Sequence, residues 1–305
     1  MAAKLLHGVT TAMVTPFDEQ GKVSLERVER LTDYLIERGV HCLYPLGTTG
    51  EMVKLSTEER KAVAETVVRR AAGRVTVYIH TGAVKLEDAV ELSRHAADIG
   101  ADGIGAVTPI FLGANALEQE FYYSRIMDSV PQDFPVYLYN IPQCSANDLT
   151  MATAESLAKR YANVAGIKYS LPDMLRTSEY LAVREGNFSV VQGTDRLFLA
   201  SLAMGCDGVV SGVSCVFPEP FVAVYEAYRS GDIALARQWQ RIAVKYCETL
   251  RNGSNMAYFK AALRYRGVDA GFMRLPQLDL PSDEAAELAR QLRALDTECL
   301  AASVH

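Results

Sequence analysis

The chain has 305 residues, of which 49% are hydrophobic and 22% charged, a balance typical of a globular protein with a large core. Its formal charge of −6 and its lack of a basic run argue against nucleic acid or an anionic membrane as a partner. No apolar stretch approaches the length of a membrane span, and residues 1–7 lack the apolar core of a signal peptide. A cytoplasmic protein is therefore expected. The six cysteines form no Cys-x-x-Cys pair and no histidine spacing suits zinc, which predicts reduced thiols and no metal site.

Short β-branched runs recur along the chain, and their starts are roughly 20 to 33 residues apart. This spacing accommodates a strand, a crossover helix and two loops, so it favours parallel β-α units. The segments between the runs carry helix signals, such as the apolar stripe from Leu25 that stops at Gly39 and the capping-box pair Ser56 and Glu59. Eight such units predict a (β/α)8 barrel, with strands at 9–14, 42–46, 75–80, 103–107, 136–140, 164–168, 188–193 and 208–211.

The strand signal ends after residue 211, and the remaining periodic segments are helical. They cover residues 217–229, 233–250, 256–266 and 283–294, and an extended connector with two prolines occupies 267–281. We therefore expect a catalytic barrel over residues 1–230, followed by a C-terminal helical extension over residues 231–305.

The reacting groups of such barrels lie at the carboxyl ends of the strands. Lys168 ends the sixth predicted strand, where apolar walls would disfavour its ammonium form and release the amine to attack a carbonyl carbon. Taken alone, a lysine at a strand end more often reaches solvent or pairs with a carboxylate. The neighbouring strand ends favour chemistry, because together they supply hydroxyls and amides for a carboxylate and a phenol for proton transfer. These ends are Gly47-Thr48-Thr49-Gly50-Glu51, Tyr139-Asn140-Ile141-Pro142 and Gly193-Thr194-Asp195.

These motifs, with Gly166-Ile167-Lys168, the opening Thr11-Ala12-Met13-Val14-Thr15-Pro16-Phe17 and Val107-Thr108-Pro109, resemble the dihydrodipicolinate synthase and N-acetylneuraminate lyase family over essentially the whole chain. The resemblance implies a class I, pyruvate-dependent aldolase or lyase that needs no metal or organic cofactor. It assigns imine formation with pyruvate to Lys168, proton transfer to Tyr139 with Thr48 as a relay partner, and carboxylate binding to Thr48 and Thr49. By the same resemblance, Gly47, Gly193 and Val210 are substrate-binding residues.

Two departures from the family pattern concern the biosynthetic synthases. Cys144 stands where those enzymes place an arginine that holds the carboxylate of aspartate semialdehyde, and a thiol cannot make that bidentate contact. Phe111 stands where they have a tyrosine that completes a proton relay across a subunit interface. We expect both residues to shape the substrate site. The resemblance implies a tetramer, but Phe111 has no hydroxyl to complete an active site shared between subunits, which weakens that expectation.

Other positions resemble the neuraminate lyases. Asp195 matches an aspartate that those enzymes use on the polyol part of their substrate, and Tyr169 matches an aromatic residue that follows their lysine. Arg196 replaces a glutamate, and Gly212 replaces a serine. Arg196 has two readings, because it would either hold a second substrate carboxylate or face solvent at a helix start.

The expected activity is cleavage or synthesis of a 2-keto-3-deoxy sugar acid, or a related 4-hydroxy-2-oxo acid, from pyruvate and an aldehyde. The alternatives are a 4-hydroxy-tetrahydrodipicolinate synthase with an atypical clamp, a keto-deoxy acid dehydratase and a non-catalytic keto-acid sensor. Glu51 and Asn140 are expected to be structural, as is His80. The glycine-rich segment at residues 100–105 precedes a strand rather than a helix, which is wrong for a dinucleotide fingerprint.

Overall fold

A computed structural model of the protein describes residues 4–302. Its parallel strands pair in chain order, and the first also pairs with the last, so the sheet closes into a barrel. This confirms the predicted (β/α)8 architecture. The strands are β1 (Gly8–Ala12), β2 (Cys42–Tyr44), β3 (Thr76–His80), β4 (Gly103–Val107), β5 (Val136–Asn140), β6 (Val164–Tyr169), β7 (Ser189–Gln192) and β8 (Gly208–Ser211).

Strand boundaries differ from the sequence prediction mainly where the chain turns into a loop. The second strand ends at Tyr44 rather than at residue 46, because Leu46 adopts a left-handed conformation with φ of 67° that no strand accommodates. The sixth strand continues one residue beyond Lys168, since Tyr169 still pairs with both Asn140 and Gln192. Lys168 therefore lies within the sheet, paired with Tyr139 on one side and Val191 on the other.

Helices cover the outside of the barrel, and the predicted capping box is present. The Ser56 hydroxyl accepts a hydrogen bond from the Glu59 amide, and the Glu59 carboxylate accepts one from the Ser56 amide. The helices are α1 (Leu25–Glu37), α2 (Thr57–Ala71), α3 (Leu86–Asp98), α4 (Ala116–Met127), α5 (Pro142–Ser145), α6 (Met151–Arg160), α7 (Met174–Leu181), α8 (Phe198–Met204), α9 (Pro218–Arg229), α10 (Ile233–Thr249), α11 (Met256–Tyr265) and α12 (Ser282–Ala302).

The predicted helical extension is present as α10, α11 and α12, and α10 packs against α9 of the barrel as well as against α12. The connector between α11 and α12 contains no helix and touches the barrel through a bridge between Phe272 and Phe17. Gly271 has φ of 71° and lies so close to Phe17 that a β-carbon would stand 2.0 Å from the Phe17 carbonyl oxygen. Only glycine fits this contact.

The glycine-rich segment at residues 100–105 runs into β4, and packing inside the barrel explains the glycines of that strand. A β-carbon at Gly103 would come within 2.4 Å of the Tyr78 ring, and one at Gly105 would stand 2.0 Å from the Tyr44 hydroxyl. These glycines make room for two large buried tyrosines. The six cysteines are free thiols, and among the helices that the structure describes none is long and apolar enough to cross a membrane.

Candidate active site

A cavity of about 420 Å³ opens at the carboxyl end of the barrel, where the strand-end motifs converge. Most of the substrate and catalytic residues predicted from the sequence line it, namely Thr48, Thr49, Tyr139, Cys144, Lys168, Gly193, Asp195 and Val210. Gly47, which precedes Thr48, and Phe111 are not among the residues that line it. The polar strand ends therefore share one site rather than several.

Lys168 is buried against aromatic rings. The residue is only 5% exposed. Its Nζ lies 4.0 Å from the ring centroid of Tyr139 and 5.1 Å from that of Tyr44. Within residues 4–302, no carboxylate forms an ion pair with it. A solvent-facing or salt-bridged lysine is thus the wrong reading of this position. A primary amine held in an apolar, partly open cavity is suited to attack a carbonyl carbon.

Tyr139 brings its hydroxyl to the same place from the adjacent strand. The residue is 2% exposed, and its hydroxyl lies 3.3 Å from Thr48 Oγ1, a long hydrogen bond that links the phenol to the loop after β2. His80 packs edge-on against the Tyr139 ring with centroids 5.8 Å apart. The tyrosine is therefore fixed by packing while its hydroxyl stays available for proton transfer.

His80 has the structural role expected of it. Nδ1 donates to the Leu46 carbonyl at 3.1 Å, which leaves Nε2 to accept from the Val107 amide at 3.3 Å. Burial, followed by the charges of Arg60 and Lys168, holds the pKa of His80 well below its usual range. The imidazole is consequently neutral and joins the loop after β2 to the end of β4.

The loop after β2 is a tight turn that presents Thr48 and Thr49. The Glu51 amide donates to the Thr48 carbonyl at 3.0 Å, and the Thr15 hydroxyl donates to the Gly50 carbonyl at 2.7 Å. A β-carbon at Gly50 would stand 2.9 Å from the Leu46 amide nitrogen, so the turn requires glycine there. Thr48, Thr49 and Lys168 line the same cavity, an arrangement suited to a small carboxylate.

Asp195 contributes a buried carboxyl group to the far side of the cavity. Its Oδ2 accepts from the Val213 amide at 3.2 Å, whereas its buried Oδ1 makes no hydrogen bond within the described part of the chain. Burial raises the pKa of Asp195 to about 6, although the Val213 amide, the Ser211 side chain and the Lys168 charge oppose the shift. An unpaired oxygen at the edge of a cavity is suited to a substrate hydroxyl.

Gly193 is required by close approach rather than by a special backbone angle. A β-carbon there would stand 1.8 Å from the Ser170 hydroxyl oxygen, so any other residue would displace Ser170 from the cavity wall. The Gly193 and Thr194 amides both donate to the Gln192 side-chain oxygen, at 2.9 and 3.1 Å. This wall of the cavity is therefore rigid and polar.

Arg196 both borders the cavity and reaches solvent, so each of its two predicted positions is partly correct. It lines the cavity, yet its side chain is 52% exposed and its guanidinium lies 3.4 Å from Glu248 of α10. A half-exposed pair of this kind is weak, so the guanidinium is free to exchange Glu248 for a ligand. Cys144 also lines the cavity and is an exposed residue. Partial desolvation nevertheless raises the pKa of its thiol, and the Lys168 charge opposes that shift.

Phe111 lies away from the cavity of its own chain. It has φ of 75°, its amide donates to the Ser145 carbonyl at 3.1 Å, and its side chain is 83% exposed. A bulky residue in the left-handed region is strained. The phenyl ring is thus directed outwards, and its predicted role in substrate binding stays a prediction.

Several residues of the cavity had no sequence signal. Tyr44 packs beside Lys168 from the end of β2, and Ala12 at the end of β1 also lines the cavity. The helical extension also folds back over the cavity mouth. It contributes Cys247, Asn252, Gly253, Ser254 and Phe259. In the sequence, only the polar cluster at residues 252–255 could have indicated the turn that brings the helical extension to the cavity.

Comparison with known proteins agrees with this geometry. The profile of the Dihydrodipicolinate synthetase family matches residues 5–295. An uncharacterized DapA-like lyase of Halobacterium salinarum is 36% identical, over 95% of this chain and 94% of its own. The 4-hydroxy-tetrahydrodipicolinate synthase of Bacillus subtilis is 34% identical, over 94% and 98% of the two chains.

Solved structures of a dihydrodipicolinic acid synthase family protein and of a sialic acid aldolase superpose on the chain. The prophage protein YagE of E. coli K12, solved in complex with pyruvate, has a TM-score of 0.90 and 29% identity, covering 96% of this chain and 99% of its own. A catalytic-lysine mutant of the sialic acid aldolase of Ruminococcus gnavus has a TM-score of 0.89 and 26% identity, covering 96% and 97%.

The barrel and its lysine-containing site define a class I aldolase or lyase. The chain belongs to the dihydrodipicolinate synthetase family of pyruvate-dependent aldolases. The relatives divide between synthases and aldolases, so the particular substrate has to be inferred from the residues of the cavity.

Proposed function

We propose that the protein cleaves or forms a 2-keto-3-deoxy sugar acid, or a related 4-hydroxy-2-oxo acid, through an imine between Lys168 and the keto carbon. The observation that carries this proposal is the buried Lys168 amine, packed against the Tyr139 ring and bordered by Thr48 and Thr49. The groups that a keto acid would require thus line one cavity.

In the proposed reaction, Nζ of Lys168 attacks C2 of the keto acid and the C2 oxygen leaves as water, giving an iminium ion. Loss of the C4 hydroxyl proton then breaks the C3–C4 bond, and its electron pair enters the iminium to form an enamine as the aldehyde departs. C3 takes up a proton, and water hydrolyses the iminium to pyruvate and free lysine. The iminium is the electron sink, so we propose that no metal or organic cofactor is needed.

We assign the proton transfers to Tyr139, with Thr48 as its relay partner, because their hydroxyls lie 3.3 Å apart and the Tyr139 ring centroid lies 4.0 Å from Nζ. Thr48 and Thr49 would hold the keto acid carboxylate. Asp195 would accept or donate a hydrogen bond to a hydroxyl on the polyol part, through the oxygen that has no protein partner. Gly193 and Val210 would form the walls on either side.

Two observations favour a sugar acid over aspartate semialdehyde. Cys144 leaves the cavity without a guanidinium at the position where synthases bind the second carboxylate. Asp195 and Ser170, which also line the cavity, instead suit hydroxyl groups. The relationship to the Bacillus subtilis synthase keeps the synthase as the second candidate.

A substrate panel distinguishes the candidates. Incubation with 2-keto-3-deoxy sugar acids should release pyruvate and an aldehyde in equal amounts. Loss of water without cleavage would identify a dehydratase, and condensation of pyruvate with aspartate semialdehyde in preference to any sugar acid would identify the synthase. Saturable binding of pyruvate with no turnover of any substrate would identify a keto-acid sensor.

We further propose that the chain forms a homo-oligomer, with the dimer as its basic unit and a tetramer as its complete assembly. Apolar side chains are exposed on the connections after β2, β3 and β4 and at the start of α4, and Val53, Val84 and Ile110 border one groove. The exposed set is Val53, Val84, Phe111, Leu112, Leu117 and Phe121. So much exposed apolar surface in one region is typical of an interface. Light scattering at micromolar concentration would measure the assembly.

A further inference from the structure

Glu51 and Lys260 form a buried ion pair between the loop after β2 and the helical extension. Glu51 Oε1 lies 3.2 Å from Lys260 Nζ, and Lys260 is fully buried, with 0% exposure. Lys260 belongs to α11, far from Glu51 in sequence. The pair therefore connects two parts of the chain that the barrel alone would not join.

Lys260 is held in place by contacts that leave it little freedom. Its Nζ donates to the Phe272 carbonyl at 2.7 Å and lies 4.3 Å from the ring centroid of Phe17. Burial lowers the pKa of Lys260 to about 8, and the Glu51 carboxylate opposes that shift. The ammonium form thus depends on its pairing with Glu51.

Glu51 is likewise constrained. It adopts a left-handed conformation with φ of 57°, and its other oxygen, Oε2, accepts from Lys54 at 2.5 Å. Its own amide bonds the Thr48 carbonyl at 3.0 Å. A displacement of the Glu51 side chain would consequently be transmitted to Thr48 through a single turn.

The neighbouring residue on α11 contacts the same site. Phe259 lines the cavity and lies next to Gly212, and a β-carbon at Gly212 would stand 3.4 Å from the Phe259 ring and 3.3 Å from Thr49 Oγ1. Helix α11 therefore reaches this region at two points, because Phe259 lines the cavity beside Gly212 and Lys260 pairs with Glu51.

We propose that Lys260 is a positioning residue for keto acid binding, because its pairing with Glu51 fixes the turn that presents Thr48 and Thr49. Buried ion pairs are often replaceable by apolar residues without loss of stability, so a fixed loop position is a better reason for this pair than stability. The inference rests on the proposed role of the two threonines.

The test compares Lys260→Met and Glu51→Gln with a matched control, Lys54→Met, which removes the other partner of Glu51 without touching α11. We expect the pyruvate concentration that gives half-maximal borohydride trapping at Lys168 to rise about tenfold in the first two variants, with complete trapping at saturation. Lys54→Met should change it less than threefold. The double variant should be no worse than either single one, because the two residues act as a pair.

Hydrogen exchange of the peptide covering residues 46–55 provides a readout that does not depend on catalysis. Exchange should be about tenfold faster in Lys260→Met than in the wild type or Lys54→Met. The inference would be overturned if Lys260→Met changed neither the pyruvate concentration for half-maximal trapping nor the hydrogen exchange of residues 46–55. Equal effects of Lys54→Met and Lys260→Met would also overturn it. Lowered thermal stability with unchanged half-saturation would show a merely structural role. Failure of the wild type to trap pyruvate would instead refute the proposed function, and the exchange measurement would still decide whether the pair fixes the turn.

Discussion

The buried carboxyl group of Asp195 should make the stability of the protein depend on pH. Burial raises its folded pKa to about 6, from an ordinary value of 3.8, so the folded state disfavours the charged form. The buried charge therefore lowers the free energy of unfolding. This loss is absent below about pH 4, grows between pH 4 and 6 and is complete above pH 6. A shift of about two pKa units corresponds to up to about 3 kcal/mol of unfolding free energy.

Asp195→Asn removes this penalty while its side-chain oxygen still accepts from the Val213 amide. The variant should therefore be more stable than the wild type at pH 7.5, by up to about 3 kcal/mol, and equal to it at pH 4. Urea unfolding at pH 4, 5, 6 and 7.5 measures the difference, with Asp133→Asn, at an exposed turn, as the control. A stability gain that is the same at pH 4 and pH 7.5, or a loss at pH 7.5, would refute the reasoning.

Three further predictions concern catalysis and substrate choice. Tyr139→Phe keeps the ring that packs on Lys168 but loses the hydroxyl, so kcat should fall about 10²- to 10⁴-fold while pyruvate is still trapped; an unchanged kcat would exclude Tyr139 from proton transfer. Thr49→Val removes one hydrogen bond to a charged group and should raise half-saturation by pyruvate roughly tenfold to a hundredfold; unchanged trapping curves would contradict the carboxylate assignment. Cys144→Arg introduces a bidentate carboxylate partner and should raise kcat/KM for aspartate semialdehyde about tenfold or more; steady-state assays showing no gain would place the substrate clamp elsewhere.

The fold could be predicted because its signals are local and repeated. Each strand has its own β-branched run and each connection is long enough for a crossover helix, so the barrel follows from counting units. Lys168, Tyr139 and the two threonines could be brought together because parallel strands end at one face of the barrel. None of these predictions requires knowing which side chains from distant segments contact each other.

The remaining features depend on contacts that a sequence pattern does not contain. Tyr44 is one of several tyrosines in strands, and its place beside Lys168 depends on the space that Gly105 leaves for its hydroxyl. The helical extension contacts the loop after β2 through the buried pair of Lys260 with Glu51, and each of these residues by itself would be expected at the surface. The outward direction of Phe111 follows from a left-handed backbone angle that its residue type does not predict.

Borohydride reduction in the presence of pyruvate, followed by intact mass and peptide mapping, tests the central claim most directly. The reaction should add one reduced pyruvyl group per chain, located on Lys168, and Lys168→Ala should abolish it. Lys260, the other deeply buried lysine discussed above, provides an internal comparison and should remain unmodified. An adduct on a different lysine, or no adduct at saturating pyruvate, would contradict the imine mechanism.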